Sequence, residues 1–126
     1  MNTEKVIFAF FVILAFTLNF GFFLGDIDNV AHHDIYELYA AIIVGIIATI
    51  LKLGDRSQLG AVVLASSLAS VIQLVIAAVM WMLATKNGLS VDKTTMASIV
   101  SLSGGALAAN TVSVILLITE TSLTKR

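Results

Sequence analysis

The stretch TTMASIVSLSGGALAANTVSVILLIT, residues 94–119, decides the fold predicted for this chain. It is long enough to cross a bilayer, since a transmembrane helix needs about 20 predominantly apolar residues. Small side chains recur in it every four residues and therefore lie along one slowly turning face of a helix. They are Ala97, Ser101, Gly105, Ala109 and Ser113. Because a face of small side chains suits another helix or a pore better than lipid, the stretch predicts a membrane helix in close contact with a neighbour.

The composition of the whole chain indicates that lipid is its solvent. Of the 126 residues, 59% are hydrophobic and only 12% are charged, and the mean hydropathy is +1.02. Ordinary soluble domains carry about 25% charged residues, and one of this length has too small an interior for so much apolar surface. The net charge of −1 argues against a nucleic-acid partner, which would require a basic face. The chain contains no cysteine, which excludes thiolate metal sites and cysteine nucleophiles, and we expect no cofactor.

Four apolar segments predict an all-α integral membrane protein, with residues 1–126 forming a single transmembrane domain. The first segment resembles a signal peptide, but its apolar run continues to Leu24 with no small-x-small cleavage site after it. We therefore expect it to be retained as a span. The predicted spans are residues 6–24, 35–53, 58–84 and 94–119.

The distribution of lysine and arginine predicts the orientation of these spans. With a cytoplasmic N-terminus, five basic residues lie inside and two outside, as the positive-inside rule requires. The inner set is Lys5, Lys52, Arg56, Lys125 and Arg126, and the outer set is Lys86 and Lys93. Both termini are therefore predicted to be cytoplasmic, with loops 25–34 and 85–93 facing outward. Size and hydropathy are typical of a small bacterial inner-membrane protein.

Carboxylates and imidazoles are concentrated between the first and second spans, without a lysine or arginine among them. They are Asp26, Asp28, His32, His33, Asp34 and Glu37. Asp34 and Glu37 fit a capping box at the start of a helix. The other four fit three interpretations: a plain solvated loop, an acidic vestibule that concentrates cations, or a site for a divalent metal ion. Their spacing matches no specific metal motif, so they are weak metal candidates.

Neutral polar and glycine residues inside the third and fourth spans are the candidates for lining a pore or an interface. They are Ser66, Ser70, Gln73, Ser101, Gly104, Gly105, Asn110 and Ser113. Adjacent glycines in a helix cost about 1 kcal/mol each relative to alanine, which favours close helix packing over local unwinding as their reason. The polar side chains either bond neighbouring helices, at about 0.6 kcal/mol per contact, or line a water-filled path. For Asn19 in the first span, the favoured interpretation is a hydrogen bond to another helix.

These features predict a channel or other ion-permeation protein for cations, assembled as a symmetric homo-oligomer with the fourth span lining the path. No span carries an ionisable residue near its centre, which argues against an enzyme, a proton-coupled transporter or a voltage sensor. A small-molecule exporter is disfavoured for the same reason. The main alternative is an accessory or structural subunit of a larger membrane complex. The expected partners are the lipid bilayer and further copies of the chain, or in the alternative a larger membrane protein.

Overall fold

A computed structural model describes residues 2–55 and 57–124 of the chain. Within these residues lie four helices that are long and apolar enough to span a membrane, as predicted. They are α1 (Thr3–Phe23), α2 (Ile35–Lys52), α3 (Gln58–Ala84) and α4 (Lys93–Thr124), with a short 3-10 turn, Val30–His32, before α2. Three of the five basic residues predicted to be cytoplasmic lie outside the described residues: Arg56, Lys125 and Arg126.

Short polar side chains determine where the helices begin. Asn2, Asp34 and Ser57 accept hydrogen bonds from backbone N–H groups in the first turns of α1, α2 and α3. Asp92 accepts from the backbone N–H of Thr95 at 2.8 Å, and hydrogen bonding to Thr95 holds the pKa of Asp92 below its ordinary value. Each of these side chains satisfies a donor that the helix itself leaves unpaired.

The bounds of α2 and α3 agree with the predicted spans to within one residue, whereas α1 and α4 differ from them. α1 begins at Thr3, three residues before the predicted start, because the Asn2 cap precedes the apolar run. α4 continues to Thr124, five residues beyond the predicted end. The sequence after residue 119 contains neither glycine nor proline, so no residue there stops the helix.

The four helices form a ring in which each packs against two others. α1 contacts α2 and α4, and α3 contacts α2 and α4. Short connections make successive helices antiparallel, so the arrangement is an up-down four-helix bundle. The start of α1 and the end of α4 therefore lie at the same end of the bundle.

Apolar side chains fill the centre of the bundle and also cover most of its outside. Leu38, Leu74, Met96, Ile99 and Ala106 are at most 1% exposed. The outer faces of α1, α2 and α3 carry large apolar residues as well, among them Phe10, Ile43, Ile50, Ile72, Ile76 and Val79. Such a surface is compatible with lipid and not with water, which supports an integral membrane location.

Candidate functional site: polar contacts of α4 and of the α1–α2 loop

Asn19 of α1 is fully buried against the middle of α4. With its amide oriented so that every contact pairs a donor with an acceptor, its nitrogen donates to the Ser103 carbonyl oxygen at 3.0 Å. Its oxygen accepts from the Asn110 side-chain nitrogen at 2.9 Å and from the Leu107 backbone nitrogen at 3.0 Å. The predicted hydrogen bond of Asn19 to another helix is therefore present, and it has three partners.

Two of these partners belong to one backbone pair of α4. In a regular α-helix the N–H of residue 107 donates to the carbonyl of residue 103, and the Asn19 amide bonds to both groups. A side chain placed in this way enters the hydrogen-bond ladder of the neighbouring helix. Asn19 thus ties α1 to the segment of α4 that contains Gly104 and Gly105.

The two glycines bring α4 close to helices on both sides. A Cβ added at Gly104 would lie 2.9 Å from Cε1 of Phe23 in α1, and one added at Gly105 would overlap Oε1 of Gln73 in α3. α4 remains helical through both residues. The contacts therefore support close packing as the reason for the glycine pair, as the sequence favoured.

Serines connect α3 to α4 nearer the other end of the bundle. The hydroxyl oxygens of Ser66 and Ser113 lie 2.6 Å apart in the interior, and Ser66 also donates to the Val63 carbonyl at 2.9 Å. Because the Ser66 proton goes to Val63, Ser113 is the donor between the two serines. Ser70, one turn along α3, is only 2% exposed.

Most of the pore or interface candidates thus lie between helices of the same chain. Ser66, Ser70, Asn110 and Ser113 are buried, while Gln73, Gly104 and Gly105 are partly buried. Ser101 is the exposed member of the set. These contacts are sufficient to explain Ser66, Asn110 and Ser113 as bonds between helices.

A different face of α4 is exposed. Its members, which we call the α4 stripe, are Thr94, Ser98, Ser101, Ala108 and Thr111. Large apolar exposed residues appear on α4 from Val112 onward. Ser98 and Thr111 are also among the neutral polar residues of the spans, but Ser101 is the one member of this stripe that the sequence selected as a pore or interface candidate, because the four-residue repeat follows the neighbouring face. A second series of hydroxyl residues at helical spacing, residues 94, 98, 101 and 111, was the available signal.

An open groove of about 660 Å³ follows the α4 stripe from Thr94 to Ser101. Asp28 and Ile27 of the α1–α2 loop form its mouth together with Lys93, and Ser98 and Ser101 lie further along it. One carboxylate of the loop and the lysine at the start of α4 therefore line the same groove as hydroxyl groups on the exposed face of α4.

The two histidines of the α1–α2 loop have different surroundings. His33 is 4% exposed, with Nδ1 at 2.5 Å from the Phe22 carbonyl oxygen and Nε2 at 2.8 Å from the Asp26 carbonyl oxygen. Nδ1 of the exposed His32 accepts from the Asp26 backbone N–H at 2.9 Å, and its Nε2 lies 3.3 Å from the amide nitrogen of Asn29.

The proposed metal site in this loop receives no support from these contacts. Among residues 2–55 and 57–124, no three histidine or acidic side chains come together in a way that could hold a metal ion. Both ring nitrogens of His33 already face carbonyl oxygens, and Asp26 and Asp28 are exposed.

An ion cluster closes the opposite end of the bundle. Lys52 at the end of α2 is 7% exposed, and its Nζ lies 2.8 Å from Asp55 and 3.2 Å from Glu120 of α4. The same Nζ lies 4.7 Å from the centre of the Phe8 ring of α1. Hydrogen bonds from Lys52 and then Ser57 hold the pKa of Asp55 well below its ordinary value. One ammonium group thus joins three helices and the α2–α3 turn.

Asp55→Asn should remove part of the acid sensitivity of the protein. A carboxyl group whose pKa is lowered by folding stabilises the fold above its unfolded pKa, near 3.9, and loses that effect as pH falls toward the folded value. We expect the wild type to be more stable than the variant by about 1 kcal/mol or less at pH 7. The difference should shrink as the pH falls below about 4. Unfolding in detergent between pH 3 and 7 measures it, and a difference that is constant with pH would contradict the assignment.

The model of one protein family, described as a family of unknown function (DUF6394), matches residues 32–121. The match begins in the α1–α2 loop and covers α2, α3 and α4 as far as Thr121, which is more than half of the 126 residues. No curated protein and no solved structure matches the chain. The family thus carries no activity over to these contacts.

Proposed function

The chain belongs to the DUF6394 family of unknown function, and from the α4 stripe we propose that it is a homo-oligomeric membrane protein through which ions, cations in particular, permeate. The single observation that carries the proposal is the row of exposed hydroxyl and small side chains along the first half of α4. This row has no large apolar side chains with which to contact lipid. Facing a shared axis, its oxygens line a path.

The packing of one chain supports a path between protomers. The centre of the bundle is occupied by apolar side chains such as Leu74, Met96 and Ile99, so an aqueous route needs a wall contributed by several copies. Cyclic assembly supplies such a wall because it repeats the same helix face around one axis. Hydroxyl oxygens replace part of the hydration shell of an ion without binding it too tightly to leave.

The charges at the groove support a preference for cations at its mouth. Asp26 and Asp28 are exposed, and Asp28 lines the groove beside Lys93. Each added copy of the chain brings two carboxylates and one ammonium to the same opening, which leaves an excess of negative charge. Such an excess raises the local concentration of cations. In this proposal the loop faces outward, both termini are cytoplasmic, and the membrane is a bacterial inner membrane.

A second candidate is an accessory subunit of a larger membrane complex. The observation that favours it is the use of Ser66, Asn110 and Ser113 in contacts within the chain. The remaining small side chains of the α4 stripe also provide a surface on which a helix of another protein can pack closely.

The absence of native cysteine allows a direct test with Ser101→Cys. In liposomes, a charged thiol reagent added to this variant should reduce cation flux at least 5-fold, because the modified side chain would stand in the path. The matched control is Ile76→Cys, whose position is 46% exposed on the apolar outer face of α3. Its flux should not change with the reagent.

The same variants separate the two candidates. Oxidation of Ser101→Cys should give a covalent dimer of the chain, and a salt gradient should show cations crossing in preference to anions. Two results together would overturn the channel proposal in favour of the accessory subunit. Liposomes with the wild-type protein would show no cation flux, and Ser101→Cys in native membranes would cross-link to a different protein.

A further inference from the structure

The hydrogen bonds of His33 require two ring protons. Its two nitrogens lie 2.5 Å and 2.8 Å from the carbonyl oxygens of Phe22 and Asp26, and carbonyl oxygens only accept. A neutral imidazole carries one N–H and can donate to one of them, whereas an imidazolium donates to both. The Asp26 carbonyl also accepts from the Asn29 backbone N–H at 3.2 Å. The Phe22 carbonyl is also at the C-terminal end of α1, where the helix dipole favours a cation.

His32 has the opposite requirement. Its Nδ1 accepts the backbone N–H of Asp26, so this nitrogen must carry no proton. The oxygen of the Asn29 side chain accepts from the Ala31 N–H at 3.0 Å, which directs the Asn29 NH₂ group toward His32 Nε2. An imidazolium at His32 would present N–H groups to donors at both positions.

The charged groups around the pair come from three parts of the chain. The Asp26 carboxylate lies 3.9 Å from His32 Nδ1, and Asp34 accepts from the Tyr36 N–H as the cap of α2. Glu37 of α2 has its carboxylate against Gly21 of α1. α3 and α1 present aromatic rings here, since the Phe22 ring lies between His33 and Trp81. On the α4 side, Lys93 shares a groove with Asp26 and Asp28.

We propose that the α1–α2 loop is a pH-responsive latch built from two adjacent histidines with opposed proton requirements. The hydrogen bonds of the observed conformation are complete when both ring nitrogens of His33 carry a proton and Nδ1 of His32 carries none. A proton added at His32 Nδ1 displaces the Asp26 N–H, whereas a proton lost from His33 turns the lone pair of one ring nitrogen toward a carbonyl oxygen. Both histidines bond to Asp26, so each change acts on the segment that positions Asp28 at the groove. An effect on permeation rests on the proposed function, but the latch itself does not.

Amide hydrogen exchange of the intact protein in detergent tests the latch directly. The protection factor of the Asp26 amide, corrected for the intrinsic effect of pH, should pass through a maximum between pH 5 and 8, the usual range of histidine titration. We expect a fall of about 10-fold on each side, which corresponds to about 1.4 kcal/mol. Constant protection across this range would overturn the proposal.

Two substitutions separate the two sides of the maximum. His32→Asn keeps an acceptor near the position of Nδ1 that does not titrate, so protection should persist on the acid side. His33→Gln keeps a donor near the position of Nε2, so the fall on the alkaline side should disappear. If a variant fails to fold, the wild-type protein still tests the latch. The chain has only two histidines, so ¹⁵N labelling of their rings reports the protonation of each one separately by NMR. A neutral His33 in a protected loop would contradict the latch whether or not liposomes show flux.

Discussion

Asn19→Ala should destabilise the protein by about 2–3 kcal/mol, because one fully buried side chain holds three groups of α4. The change removes one hydrogen bond from each of the Ser103 carbonyl, the Leu107 N–H and the Asn110 amide. The first two groups keep each other as partners in the α4 helix, whereas the Asn110 amide loses this acceptor. A buried group left unpaired costs about 1–3 kcal/mol, although single contacts between membrane helices average nearer 0.6 kcal/mol. The loss of three contacts between α1 and α4 at once, together with the unpaired Asn110 amide, leads to the expected cost of about 2–3 kcal/mol. Unfolding by SDS in mixed micelles measures it.

Thr17→Val is the matched control on the same helix. Thr17 is exposed and its hydroxyl donates to the Leu14 carbonyl of its own helix, so we expect a change within about 0.5 kcal/mol. A double-mutant cycle of Asn19→Ala with Asn110→Ala should show non-additive effects, because the two side chains bond to each other. Additive effects, or a cost for Asn19→Ala equal to that of the control, would refute the role of the network.

Gly105→Leu should prevent normal packing of α4 against α3. A Cβ at this position already overlaps the Gln73 oxygen, and the rest of a leucine side chain would have to fit between the two helices. Overpacking of this kind typically costs about 1–3 kcal/mol, and we expect the upper part of that range because the Gln73 side chain must be displaced and a whole leucine side chain must be accommodated between α3 and α4. The fraction of protein that remains monodisperse after heating in detergent should fall sharply.

Two further glycine variants show whether space is the cause. Gly105→Ala should cost less than about 1 kcal/mol, because the Gln73 side chain is flexible and alanine gains about 1 kcal/mol of helix propensity over glycine. Gly54→Leu, where an added Cβ meets nothing within 4 Å, should leave stability unchanged. If Gly105→Leu behaves like Gly54→Leu, the close contact between α3 and α4 is not present in the membrane. In the structure, the packing that Gly105→Leu disrupts is between α3 and α4 of one chain. The sequence pattern alone indicates close helix packing at Gly105 without showing which helix is the partner.

The α1–α2 loop shows how far local patterns extend. The sequence predicts the helix start at Asp34, because a cap acts on backbone groups only two residues away. The carbonyl partners of His33 are not predictable in the same way. One of them, Phe22, is eleven residues earlier, and the path of the loop between them depends on the packing of α1 against α2.

The sequence by itself determined that the chain forms four apolar helices and where the loops between them fall, since hydropathy and capping are local properties. Only the tertiary structure decided which side of each helix is buried. In a soluble bundle the apolar side is the inner side, but in lipid both sides are apolar and hydropathy does not distinguish them. The sequence therefore marked Ser101 and Ser113 as one face of α4, whereas the structure exposes Ser101 and buries Ser113 against Ser66. The partners of Asn19, more than eighty residues away, were likewise decided by the docking of α1 against α4.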